Sequence, residues 1–159
     1  MFDSQEDIYQ FVGSILFENQ PKKWVVAWID VNIHIFTKKS SFSLQYLESS
    51  DDDNGHDLEL ENQLELFNIH DAFNALYQLM KTDADDVPWN RCRFVVHPDG
   101  DFEIDFKTDP DLNWLNSLDP DKDTYPSYDV IQAIESWDGL SENAYRPWLD
   151  PESAMYKGK

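Results

Sequence analysis

A chain of 159 residues with 32 Asp and Glu against 12 Lys and Arg carries a formal charge of −20, well past the magnitude of roughly 2 to 8 that keeps a small domain soluble. A field of that sign repels nucleic acid backbones and anionic membrane surfaces and attracts positive ones, so direct binding of DNA, RNA or lipid is set aside and a basic protein partner is expected. At 41% hydrophobic and 14% aromatic the chain is too rich in core-forming side chains for a disordered acidic segment, and its single cysteine, Cys92, excludes an intrachain disulfide framework.

One domain spanning residues 1–159 is the default at this length. Asp3, Glu6 and Asp7 stand where a signal peptide would be basic, and no stretch nears the roughly 18 apolar residues of a membrane span. The expected compartment is the cytoplasm.

Ser4, with Asp7 three residues on, reads as a helix start. Ile8, Phe11, Val12, Ile15 and Leu16 then recur at helical spacing until Pro21 ends the element. Trp24 to Ile29 is an apolar run of strand formers, Asp30-Val31-Asn32 has turn chemistry, and Ile33 to Thr37 resumes strand composition, which predicts a hairpin whose first strand is buried on both sides. Phe42, Leu44 and Tyr46 alternate with polar residues as a third strand, and Ser49 to Asp57 is an exposed polar loop. Leu58, Leu60, Leu64 and Leu66 fit either a strand or a helix. Asn68, with Asp71 three residues on, caps a second helix carrying Ile69, Ala72, Phe73, Leu76, Leu79 and Met80 as far as Thr82.

After Pro88-Trp89, a pair of alternating segments around Pro98-Asp99-Gly100-Asp101 predicts a hairpin over 91–107. Cys92, Phe94, Val96, Phe102, Ile104 and Phe106 lie on its buried face, and Glu103, Asp105 and Lys107 on the charged one. Asp109-Pro110, Asp119-Pro120 and Tyr125-Pro126 read as breakers. A third helix starts near Ser127 with Val130, Ile131, Ile134 and Trp137, followed by an irregular tail. Helix, strands, helix, hairpin and helix together predict an α+β fold, a mostly antiparallel sheet with helices packed on one face.

Two acidic clusters are candidate binding surfaces. Asp99, Asp101, Glu103, Asp105, Asp109 and Asp111 crowd the hairpin and its exit, and Asp51, Asp52, Asp53 and Asp57 crowd the loop. Each also has an ordinary reading as solvated acids at turns and on a sheet face. Trp89 and Trp114, close to breakers, are candidate aromatic anchors, because Trp is enriched at binding hot spots.

Catalytic and metal chemistry find little support. Asp119-x-Asp121-x-Asp123 opens like a calcium loop but has Thr124 in place of the required Gly and Val130 in place of the terminal Glu. His34, His56, His70 and His97 lack metal-ligand spacing, and no phosphate loop or nucleophile motif occurs. No enzyme, metal or cofactor is expected. The alternatives kept are a metal-dependent hydrolase using the hairpin carboxylates, which Asp99 with Asp105-Phe106-Lys107 superficially suggests, and an acidic adaptor or nucleic-acid mimic for another partner.

Pro88-Trp89-x3-Arg93-Phe94, followed by Asp99-Gly100-Asp101-Phe102-Glu103-Ile104-Asp105-Phe106-Lys107, resembles the signature of the YezG-like immunity proteins. In that family a Pro-Trp precedes one strand and a Gly-x-Phe-x-Ile-Asp-Phe strand follows a tight turn. The order of elements is similar over most of residues 4 to 120, while the segment from Asp119 to Lys159 departs from it. The resemblance implies an antitoxin that neutralises a bacterial polymorphic toxin, often a nuclease, by binding it in the producing cell. Asp105 matches the acid of the family's motif, and no catalytic residue carries over.

Overall fold

The computed structural model describes residues 2–156, and the chain divides into two compact units, Met1–Thr108 and Asp109–Lys159, of which only those residues are described. The first contains helix α1 (Gln5–Glu18), strands β1 (Val26–His34), β2 (Lys39–Leu47) and β3 (His56–Asp57), helix α2 (Gln63–Met80), and strands β4 (Arg91–Val96) and β5 (Phe102–Lys107). The strands form one antiparallel sheet in the order β3-β2-β1-β4-β5. The fold is α+β.

The alternation of side chains along a strand sorts this sheet into two faces. In β1, Ala27, Ile29, Val31 and Ile33 are buried, and the register sets Ile29 between Leu44 and Phe94, and Val31 between Phe42 and Cys92. This face packs on Ile8, Val12, Ile15 and Leu16 of α1 and on Ile69, Ala72, Phe73 and Leu76 of α2 in one apolar cluster. Each of the larger side chains here, Val, Leu, Ile and Phe, contributes on the order of 1.5 to 3 kcal/mol of burial free energy.

The helix starts follow local chemistry. Ser4 Oγ accepts the Asp7 N–H at 3.2 Å to cap α1, as the sequence predicts, and at the far end Asn19 and Gln20 donate to the carbonyls of Ile15 and Leu16 before Pro21. The second helix begins earlier than expected. Asn62, whose side chain accepts the Leu64 N–H at 2.9 Å, is the cap, and Asn68 lies inside the helix. Leu64 and Leu66 are therefore helical.

The predicted turn at Asp30-Val31-Asn32 is absent. β1 runs unbroken, with Asp30 and Asn32 on the face away from the helices, so it is buried on one face only. The chain reverses over residues 35–38, where the Lys38 N–H donates to the His34 carbonyl at 2.8 Å and Lys38 takes a positive φ of 64°.

The second unit holds α3 (Pro110–Asn116), α4 (Tyr128–Glu135) and a 3-10 turn at Pro147–Leu149 around Leu112, Leu115, Leu118, Ile134 and Trp148. Ser127 caps α4 as predicted, through the Val130 N–H. Asp109-Pro110, read as a breaker, instead starts α3. Asp109 accepts the Asp111 N–H at 2.9 Å, and Pro110 occupies the first turn, where its missing N–H costs nothing.

Candidate functional site

The face of the sheet turned away from the helices gathers polar side chains from all five strands. Registration places Asp57, Gln45, Trp28, Val95 and Glu103 in one cross-strand row and Ser43, Asp30, Arg93 and Asp105 in the next. At a strand spacing of about 4.8 Å the first row spans roughly 19 Å. It therefore joins one acid of the predicted loop cluster to one of the predicted hairpin cluster.

At the centre, Arg93 makes a bidentate ion pair with Asp30, at 2.6 Å from Nε and 2.8 Å from Nη2, and its guanidinium lies 5.5 Å from the Trp28 ring centroid. A planar guanidinium suits both the paired carboxylate and the aromatic face. Trp28 is hemmed in by the loop before β3, where a Cβ added at Gly55 would meet its ring at 2.9 Å. Arg91 is wholly buried and donates to Asn32 at 3.1 Å.

The hairpin acids Asp99, Asp101, Glu103 and Asp105 are all exposed and lie close together along the turn and β5. The His97 carbonyl accepts the Gly100 N–H at 2.9 Å, the His97 N–H donates to the Asp101 carbonyl, and Gly100 has a φ of 93°. A tight turn with a glycine bulge results. Asp99 braces it by accepting the Asp101 N–H, and Glu103 lies 2.9 Å from the His97 ring nitrogen Nε2.

Asp109 and Asp111 belong to the second unit and serve its internal structure. Asp109 caps α3, and Asp111, largely buried, receives Nε and Nη2 of Arg146 at 2.8 to 3.1 Å. That carboxylate and the hydrogen bonds to it raise the Arg146 pKa above its ordinary value.

In the loop cluster, Asp51 and Asp53 are exposed, while Asp57 accepts from Gln45. Asp52 instead organises the loop. It accepts the backbone N–H groups of Glu48 and Ser49 and lies 3.4 Å from His56, and these contacts, the Glu48 bond first, hold its carboxyl below the usual carboxylate range.

The predicted anchors divide. Trp89 has no exposed surface and packs against Tyr77 and Phe106, so it is a core residue and not an anchor. Trp114, half-buried, stacks on Trp148 with centroids 3.9 Å apart. Cys92 lies in the core, where burial, with help from Asp30 and Asp105, pushes its thiol pKa well up and leaves it a poor nucleophile.

The sequence reading did not anticipate a groove of about 280 Å³ between α1 and the tip of the hairpin, whose apolar part is lined by Tyr9, Gly13, Phe17, Val96 and Phe102 and whose polar part is lined by Gln10, Ser14 and Glu18. Phe17 is 45% and Phe102 39% exposed. Phe17 lies off the buried stripe of α1, which is the one signal of this groove that the sequence holds. Among the described residues, no cluster of three or more His, Cys, Asp or Glu has metal-site geometry, and no helix is long and apolar enough to cross a membrane. Set against protein-family models and against curated proteins, the sequence matches none.

Proposed function

We propose that this protein is a cytoplasmic immunity protein that binds a basic toxin domain, of the nuclease type, and blocks it by covering its positive cleft. The carrying observation is the net charge of −20 together with the placement of the arginines. Arg93 and Arg146 are held in bidentate pairs with Asp30 and Asp111, and Arg91 is buried beside Asn32. The strongest cationic recognition groups of the chain are thus engaged internally, while Asp99, Asp101, Glu103 and Asp105 face solvent together.

A nuclease must hold phosphates and so presents a basic cleft, for which such a surface is the electrostatic complement. The likeness of the Pro88 to Lys107 stretch to the YezG-like signature supports the same reading. The protein would act by binding alone, with no chemistry of its own.

Co-expression with the toxin-like product of an adjacent gene tests this. The expected result is a complex that survives gel filtration and a nuclease that no longer degrades DNA or RNA. A purified toxin that still cleaves at full rate in the presence of excess acidic protein would remove the reading.

A further inference from the structure

β5 is an edge strand, and among the described residues no strand pairs with its outer side. The bond from the His97 N–H to the Asp101 carbonyl fixes the phase of the hairpin ladder. In an antiparallel pair, alternate residues turn their backbone groups towards the partner strand. Counting from Asp101, Glu103 and Asp105 bond to β4, whereas Phe102, Ile104 and Phe106 direct N–H and C=O to the open edge.

Their side chains point to the helix side of the sheet, yet none of the three is fully buried. Phe102 stacks on Phe94 at 5.2 Å and touches Tyr9 at 5.8 Å, and its remaining surface opens into the groove beside Phe17. An edge with a half-covered apolar side and an acidic side is laid out to receive one more strand.

We infer that the open edge of β5 and the adjoining α1 groove form a docking site for an extended basic segment of the partner, added as a sixth strand. Alternate residues of that segment would be apolar, entering the groove next to Phe102 and Phe17. The intervening ones would be Lys or Arg, set beside Glu103 and Asp105 across the strand pair. The first unit holds 21 Asp and Glu against 8 Lys and Arg, a net of −13, which selects against an acidic strand. The inference rests on the reading of the protein as a binder of a basic partner, and it names the contact.

The probe is the peptide Lys-Val-Lys-Val-Lys-Val-Lys-Val, with Glu-Val-Glu-Val-Glu-Val-Glu-Val as its control, and the readout is amide hydrogen exchange in the whole chain. Saturation with the Lys peptide slows exchange at Phe102, Ile104 and Phe106 by roughly tenfold or more, while the Glu peptide changes nothing. Ile104→Pro removes one outward N–H at an edge position that tolerates proline, and it weakens the peptide at least tenfold while leaving the melting transition in place. If that variant unfolds, exchange in the unsubstituted protein decides alone.

Unchanged exchange at the three amides, whether the Lys peptide fails to bind or binds elsewhere, overturns the docking site. The two proposals separate cleanly. A toxin that is neutralised while these amides stay unprotected removes this site and leaves the function standing. A peptide that protects them, with no toxin recognised, does the reverse.

Discussion

Asp30 is the residue whose role changes most between sequence and structure, because an aspartate next to an asparagine reads as turn chemistry until its partner is known. That partner is Arg93, 63 positions along the chain, bound through two hydrogen bonds of 2.6 and 2.8 Å with side chains only 19% and 30% exposed. Exposed ion pairs contribute about 0.2 to 1 kcal/mol, and removing one member of a buried pair costs about 3 to 5 kcal/mol. The partial exposure here places Asp30→Ala between these limits, at a loss of about 2 kcal/mol in urea unfolding followed by tryptophan fluorescence. A loss under about 0.5 kcal/mol would show that solvent screens the pair as it does at an open surface. Asp52 acts at the same scale through a different cause. Its folded pKa is lowered by backbone donors, so its stabilising effect is present above the unfolded carboxylate range and is lost as pH falls through the lowered value.

At the scale of elements, the hairpin from Arg91 to Lys107 depends on one backbone conformation. Gly100 sits at φ 93°, and a Cβ built there meets nothing within 4 Å, so any cost of substitution is conformational and not steric. Gly100→Ala is expected to destabilise the protein by about 1 to 2 kcal/mol. An alanine variant as stable as the parent in urea would mean that the turn relaxes into another form. Gly55 makes the useful contrast, since a Cβ built there would meet the Trp28 ring at 2.9 Å and its constraint is one of space.

The same hairpin shows what the chain discloses locally. Alternation of Cys92, Phe94 and Val96 with charged neighbours, and a glycine two residues after a proline, are signals contained within one element, so strand faces and turn position were readable. Ser4 and Ser127 announced α1 and α4 for the same reason. What was not readable depended on distant partners or on position-specific roles. Asp30 needed Arg93, Trp89 needed Tyr77 and Phe106 around it, and Pro110 needed a cap at Asp109 to become a helix start. Glu103 and Asp105 could be placed on a common face from periodicity. The groove beside them could not, because it is made by Phe17 on one element and Phe102 on another.

For the molecule as a whole, the charge acts over distances that the contacts do not. The two units carry the same sign, −13 and −7, the latter from 11 Asp and Glu against 4 Lys and Arg. At 10 mM ionic strength the screening length is about 30 Å, longer than the roughly 19 Å row that runs across the sheet from Asp57 to Glu103, so an approaching basic surface feels the acids at both of its ends together. At 150 mM the length falls to about 8 Å, and only neighbouring groups act in concert. Steering of this kind appears in the rate of encounter far more than in the rate of escape, because short contacts such as those proposed along β5 are little screened once water is excluded. The association rate constant with a basic toxin domain is therefore expected to fall at least about tenfold between these two ionic strengths, with dissociation changing severalfold less. Glu103→Gln with Asp105→Asn should depress association at low salt and flatten its salt dependence, since both acids lie at the proposed point of contact. Stopped-flow kinetics over a salt series would measure both effects. An association rate indifferent to salt would mean that recognition rests on the apolar groove and the strand edge, with the −20 charge serving only to keep the free protein apart from itself.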